Sequence, residues 1–321
     1  ISLRVSGSYV PDFTGPLSYT ISSDNGYVLK ANGKVVEKNA EAGARRMRRG
    51  AANYKTFDVK AGETYNIEIE YKRGNGPFAM FSANFCQRKY ADFLDIIAET
   101  GDADAIIVIS GISPQMEGEG GDKADIELPA VQQRLVKAMH TTGKPVVVVN
   151  CSGSAIAFAS VEGSYDALLQ AWYPGQGGPE ALADIIFGDY NPSAKLPVTF
   201  YASTDQLPDF LDYSMENRTY RYFHGVPQYA FGYGLSYTTY EYGEASISKN
   251  SMNKSGKVTI TVPVKNTGKV AGDEIVQVYV KSLDNPDAPI KSLKGFDKVT
   301  LAAGASGKAK ITLDGTAFEY Y

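Results

Sequence analysis

The sequence predicts a multidomain chain, α/β in its middle and all-β at both ends: part of an antiparallel β-sandwich, then an α/β sandwich with a mostly parallel sheet, then a C-terminal Greek-key β-sandwich. Three observations predict this. Alternating strands and hairpin turns fill residues 1–86 without a helical period. Continuous apolar runs alternate with amphipathic stretches in residues 87–203. Alternating strands return at 239–321, after a Pro/Tyr/Gly-rich connector at 204–238.

In the first stretch, Leu17-Ser-Tyr-Thr-Ile21 alternates, Ser22-Ser-Asp-Asn-Gly26 is a turn, and Tyr27-Val-Leu29 resumes the strand. Asn32-Gly33 is a strong hairpin signal leading to Val35-Val36. Lys60-Ala-Gly62 turns the chain into the alternating Tyr65-Asn-Ile-Glu-Ile-Glu-Tyr71. In the middle stretch, Ala105-Ile-Ile-Val-Ile109 has the unbroken apolar character of a strand buried on both faces. Pro129 opens a helix with Val131, Leu135, Val136 and Met139 on one side and Gly143 as its stop. Pro145-Val-Val-Val-Val149 is a second buried strand and Ala167-Leu-Leu-Gln-Ala171 a third, followed by a helix from Pro179 through Ile186. Strand–helix–strand alternation implies a parallel layer. In the last stretch, Val258-Thr-Ile-Thr-Val262, Glu274-Ile-Val-Gln-Val-Tyr-Val280 and Lys308-Ala-Lys-Ile-Thr-Leu313 are strands separated by glycine-rich turns.

Composition narrows the function. The net charge of −4 carries no footprint for nucleic acid, and the basic cluster Arg45-Arg-Met-Arg-Arg49 reads as a solvated loop or strand face. No stretch approaches the roughly 20 apolar residues that cross a bilayer as a helix. The sequence opens directly on strand-like residues (Ile1-Ser-Leu-Arg-Val5), without a signal peptide. The two cysteines, Cys86 and Cys151, sit among strand-like residues and are expected as buried thiols rather than a bridge. His140 and His224 lie on separate segments, so no zinc motif forms, and no metal or other cofactor is expected. Cys151-Ser-Gly-Ser-Ala lacks the glycine spacing of a nucleophile elbow. Tyrosine outnumbers tryptophan by 22 to 1, a bias common in extracellular sugar-handling proteins.

Three blocks, in order, resemble glycoside hydrolase family 3. Glu117-Gly-Glu-Gly-Gly-Asp-Lys123, followed by Leu128-Pro129 and Gln132, is similar to the family's acid/base loop and the helix after it. Gly175-Gln-Gly-Gly-Pro-Glu-Ala181 and Phe187-Gly-Asp-Tyr-Asn-Pro-Ser-Ala-Lys-Leu-Pro197 are close to a second family pattern, with Ala194 where the family often has glycine. Phe231-Gly-Tyr-Gly-Leu-Ser-Tyr-Thr238 is similar to the signature that introduces a terminal fibronectin type III-like domain. Residues 1–86 resemble instead the latter part of a protective-antigen-type β-sandwich, on Ile21-Ser-Ser-Asp-Asn-Gly-Tyr27, Asn32-Gly-Lys-Val-Val36 and Ala61-Gly-Glu-Thr-Tyr-Asn-Ile-Glu-Ile-Glu-Tyr71. In some family members this module is inserted within the α/β sandwich. Asp24-Asn25 lacks the partner acid of the calcium loop found in sugar-binding relatives of that module and reads as a plain turn.

The resemblance implies a retaining exo-β-glycosidase, a β-glucosidase or a β-xylosidase, secreted or periplasmic. Such enzymes need two carboxyl groups about 5 Å apart, one attacking the anomeric carbon and one protonating the leaving oxygen. In the family the nucleophile is an aspartate on an N-terminal barrel, and no matching motif occurs here. The barrel, the opening of the α/β domain and the first strands of the inserted module would lie on another stretch of polypeptide, making that portion the expected partner and this chain inactive alone. The proton donor comes from the loop at 113–123, where the family keeps a glutamate three residues before an aspartate. That points to Glu119 before Asp122, with Glu117 as the alternative acid or as a ligand of a sugar hydroxyl. Asp122 and Lys123 stand where the family has Asp-Arg, a pair expected to pin the loop; lysine lacks arginine's bidentate fork. The turn at 175–178 is expected to serve close helix–strand packing, and the Phe231 block inter-domain packing. The reading from another class is a non-catalytic carbohydrate-binding or scaffold assembly with the Glu119 loop as a relic. A flavodoxin-like nucleotide-binding protein is disfavoured because this acidic loop would repel phosphate.

Overall fold

The computed structural model describes residues 2–23, 25–39, 55–72, 81–87, 93–118 and 123–319. The cluster at 45–49 and Asp24 lie outside the described residues. Contacts divide the chain into two units: Ile1–Leu94 with Pro114–Lys123, and Asp95–Ser113 with Ala124–Tyr321.

The first unit is an antiparallel sandwich. Its strands are β1 (Ser2–Tyr9), β2 (Gly15–Ser23), β3 (Tyr27–Ala31), β4 (Lys34–Asn39), β5 (Lys55–Val59), β6 (Tyr65–Lys72) and β7 (Phe81–Gln87). They form two sheets, ordered β1-β6-β3-β4 and β5-β2-β7. Tyr19, Leu29 and Ile69 form the buried centre between them, with Ile21, Val36, Phe57, Ile67, Phe81 and Phe85 packed around it. The β3–β4 hairpin turns on Asn32 (φ +50°) and Gly33 (φ +75°), the pair of left-handed residues that a type I′ turn requires. The Asn32 side chain then accepts a hydrogen bond from the backbone N–H of Asn66 at 2.8 Å, tying the turn to β6.

One carboxylate fastens the two sheets together. Glu37 on β4 accepts hydrogen bonds from Tyr19 on β2 at 2.9 Å and from Tyr27 on β3, and pairs with Lys55 on β5. Burial pushes this carboxyl up, but the hydrogen bonds from Lys55, Tyr27 and Tyr19 outweigh it and hold Glu37 below the usual carboxylate range. A folded-state pKa below the unfolded one means stability that is present above the unfolded pKa and lost as pH falls through the folded one. Urea unfolding monitored on the first unit should therefore show Glu37→Gln costing about 1–3 kcal/mol near pH 7, with the deficit shrinking toward pH 3. A deficit unchanged across that range would contradict the ion-pair account.

The second unit carries a parallel layer of β8 (Ile106–Gly111), β9 (Val146–Cys151) and β10 (Ala167–Gln170), with β9 in the centre. The helices are α1 (Leu94–Glu99), α2 (Ala130–His140), α3 (Gly178–Phe187) and the single turn α4 (Thr219–Tyr222). β9 is the buried strand expected: Val146, Val148 and Val149 are fully buried. β8 is not. Ile106 and Val108 are buried while Ile107 is 44% and Ile109 64% exposed: α2 packs against β8, and among the described residues the face that carries Ile107 and Ile109 stays open. A second correction concerns α2, where Val131 is exposed and Val136 and Met139 are buried. The inward stripe runs Gln132, Leu135, Val136, Met139, so a polar residue takes the first inward position. α3 starts on Gly177-Gly178-Pro179 and stops at Gly188, whose left-handed φ of +85° closes the helix. A Cβ at Gly178 would lie 2.2 Å from the Pro174 Cβ, a contact within the turn itself rather than between helix and strand.

The rest of the unit is an antiparallel sandwich. β13 (Lys257–Asn266) pairs with β11 (Tyr240–Tyr242), β12 (Ser246–Ile247) and β16 (Ser306–Asp314), and β14 (Gly272–Val280) pairs with β15 (Ser292–Leu301). Val264, Val276, Leu301, Ala309, Ile311 and Leu313 fill its core. The preceding connector is bolted to it by the two glycine-rich blocks. Asn191 accepts from the Ser236 hydroxyl at 3.0 Å and the Tyr237 N–H at 2.8 Å, and donates to the Ala271 carbonyl at 3.0 Å. Gly232 takes a left-handed φ of +81° and its Cα faces Gln277, with Oε1 2.3 Å from where a Cβ would lie, and Phe231 stacks on Tyr220 at 4.0 Å. Ala194 is exposed and outside the left-handed region, so glycine's freedom is not needed there.

Candidate active site

The carboxyl ends of β8, β9 and β10 lie along one edge of the parallel layer, which is where open α/β sheets place ligands. The loop at 113–123 leaves from that edge. Its root is fixed tightly. Gly111 pairs with Cys151 at the end of the β8–β9 ladder, and the Ile112 N–H continues to the Cys151 carbonyl at 3.1 Å. Gly111 has φ +124°, and a Cβ there would lie 2.0 Å from the Cys151 carbonyl oxygen, so only glycine fits. The Gln132 amide both donates to the Gly111 carbonyl and accepts from its N–H, each at 2.8 Å. The Tyr173 hydroxyl donates to the Ile112 carbonyl at 3.0 Å.

The returning limb is held as well. Glu127 bridges Ala157 in parallel fashion, the Ala157 N–H donates to Ile126 O at 2.8 Å, and Leu128 is fully buried. The Ile126 N–H donates to the Thr204 hydroxyl at 3.1 Å, while Glu127 accepts from the Thr204 N–H at 3.3 Å.

Of the expected site residues, Glu117 and Lys123 come together: Lys123 Nζ lies 3.8 Å from Glu117 Oε2, with the Glu117 side chain 10% exposed. Glu119 and Asp122 lie outside the described residues. Gly118 takes φ +154°, close to extended.

Next to the root, Asn150 is fully buried and donates to the Ser152 hydroxyl at 2.8 Å and to Gln170 Oε1 at 2.6 Å, tying the end of β9 to that of β10. Ser152 in turn donates to the Ser154 carbonyl at 2.7 Å, so its hydroxyl is spent on the loop. Cys86 and Cys151 are unbridged but half-buried rather than fully buried, each sitting at the end of a strand. Burial pushes the Cys151 thiol up, which keeps it protonated and a poor nucleophile at neutral pH. Sequence reading named Gln132 only as part of a block and missed Tyr173. The signal for Gln132 was an amide on the inward stripe of an amphipathic helix. None existed for Tyr173, whose partner is 61 residues away.

The sequence matches the family described as glycosyl hydrolase family 3 C-terminal domain over residues 13–237, and a fibronectin type III-like domain over residues 274–321. It is 38% identical over 330 residues to a xylan 1,4-β-xylosidase of Xylanibacter ruminicola, covering 98% of this chain and 37% of that protein. It is 37% identical over 232 residues to a periplasmic β-glucosidase of Salmonella typhimurium, covering 68% of this chain and 30% of that one. The crystal structure of a β-glucosidase from Kluyveromyces marxianus in complex with glucose superposes with a TM-score of 0.72 at 32% identity, over 97% of this chain and 39% of that one. The chain therefore spans less than half the length of these relatives. It belongs to glycoside hydrolase family 3.

Proposed function

We propose that this chain supplies the general acid/base, and part of the substrate cleft, of a retaining exo-β-glycosidase acting on β-glucosides or β-xylosides. The observation that carries this reading is the loop at 113–123. An acidic, glycine-rich segment leaves the carboxyl edge of the parallel layer between two limbs that are each fixed by several hydrogen bonds. A proton donor must be held within hydrogen-bond reach of a leaving oxygen, and limbs fixed on both sides of the loop support that requirement. Glu119 is the donor in this reading. Glu117, paired with Lys123, accepts a hydrogen bond from a sugar hydroxyl in this reading. Asp122 and Lys123 support the loop, Lys123 through Glu117.

The nucleophile is assigned to the N-terminal barrel portion of the same enzyme. The relatives named above are two to three times longer than this chain, and Ile107, Ile109, Leu94 and Ile96 expose apolar side chains that such a portion would cover. Residues 1–86 are read as the inserted protective-antigen-type module, in keeping with relatives that match 97–98% of the chain and others that match 66–68%. Export to the periplasm or beyond accords with β-linked oligosaccharide substrates. The test compares the purified 321-residue chain with the complete enzyme on aryl β-glucoside and aryl β-xyloside. The complete enzyme is expected to turn over at least one of them while the chain alone shows none above buffer. Turnover by the chain alone would overturn the assignment of the nucleophile elsewhere.

A further inference from the structure

We propose that Gln132 and Tyr173 are positioning residues for the proton donor, acting through the two-residue root Gly111–Ile112; the inference rests on the reading that the loop at 113–123 carries the acid/base. β8 is an edge strand, so on the side away from β9 its last residue has no neighbouring strand among the described residues. The N–H and C=O of Gly111 instead take both their bonds from one side chain, the Gln132 amide, at 2.8 Å each. A primary amide is the side chain that can donate and accept in one plane at that separation. This is also why α2 turns a polar residue inward at the first position of its buried stripe.

Ile112 is held separately. Its carbonyl accepts from the Tyr173 hydroxyl at 3.0 Å, although the Tyr173 side chain is 45% exposed and contributes little to the core. Trp172, next to Tyr173 and two residues beyond the end of β10, takes φ +57°. A left-handed backbone at a bulky residue is strained and persists only where the surroundings impose it. The Trp172 ring packs edge-on against the buried Phe200 at 6.2 Å. Three hydrogen bonds therefore converge on two backbone units from which the loop departs. Neither Gln132 nor Tyr173 touches substrate in this account.

The test is a leaving-group series of aryl β-glycosides with the complete enzyme carrying Tyr173→Phe or Gln132→Met, alongside Glu119→Gln. Loss of aim penalises only the step that needs the proton. Tyr173→Phe is expected to lower kcat/KM about 10-fold, and Gln132→Met about 100-fold, for poorly acidic leaving groups, with changes under about 3-fold for a dinitrophenyl glycoside. A purely structural defect would lower all substrates by the same factor, and that result would overturn the proposal. Tyr173→Phe removes one hydroxyl and keeps the ring, so it stays informative even if Gln132→Met folds poorly. No leaving-group dependence in either variant while Glu119→Gln shows it would defeat the positioning role alone. Absence of that dependence in Glu119→Gln would defeat the loop reading and the positioning role together.

Discussion

In the complete enzyme, Glu119→Gln will lower kcat/KM by about 10²–10⁴-fold for β-glycosides with poor leaving groups and far less for a dinitrophenyl glycoside. An alkoxide or simple phenoxide cannot depart from the anomeric carbon without a proton, and an amide of the same shape cannot give one. A dinitrophenolate leaves unaided, so the covalent intermediate still forms. Its hydrolysis then lacks a general base, and the intermediate accumulates as a burst of released phenol followed by slow turnover. Glu117→Gln is expected to act differently. Its carboxylate faces Lys123 at 3.8 Å, so the change removes an ion pair and a hydroxyl contact and lowers all substrates by a similar factor. Leaving-group dependence confined to Glu117→Gln would keep the loop and exchange the residues.

Gly111→Ala is expected to be the most damaging small substitution in the parallel layer. Its φ of +124° is forbidden ground for a residue with a side chain, and the added methyl would sit 2.0 Å from the Cys151 carbonyl oxygen and 2.6 Å from its carbon. Backbone, not a flexible side chain, would have to give way, and that backbone belongs to the central strand. The cost should be about 3 kcal/mol or more, lowering Tm by on the order of 10 °C. Gly101→Ala, whose nearest neighbour would be at an ordinary 3.5 Å and whose φ is not left-handed, should change stability by less than about 0.5 kcal/mol. Equal thermal shifts for the two variants would refute the steric argument.

These two residues show which parts of the molecule the sequence discloses. β9, α2, β13, β14 and β16 were legible because their apolar periods reflect what covers them on each side. Ile106-Ile-Val-Ile109 was misleading for the same reason. An apolar run records an intended cover, but here one side is open, and no period distinguishes the two cases. β15 escaped notice because Ser292–Leu301 alternates Lys, Asp and Thr with only Val299 and Leu301 near the core. The loop at 113–123 was found through its motif alone, since glycine-rich backbone has no period. The left-handed Trp172 leaves no mark in composition, because an indole is not chosen for that conformation, and its ring contact with Phe200 is 28 positions away. Contacts of that range, like Tyr173 with Ile112, become visible only once the sheet has set its register.

The most direct test of the central claim is azide rescue of the two glutamate variants on a dinitrophenyl β-glycoside. Azide needs no general base, so it attacks the anomeric carbon of the accumulated intermediate and displaces the enzyme's carboxylate. Turnover by Glu119→Gln should rise at least about 10-fold with azide and yield a β-glycosyl azide of retained configuration, with wild type and Glu117→Gln unaffected. Absence of rescue in Glu119→Gln, or rescue confined to Glu117→Gln, would contradict Glu119 as the acid/base this chain contributes.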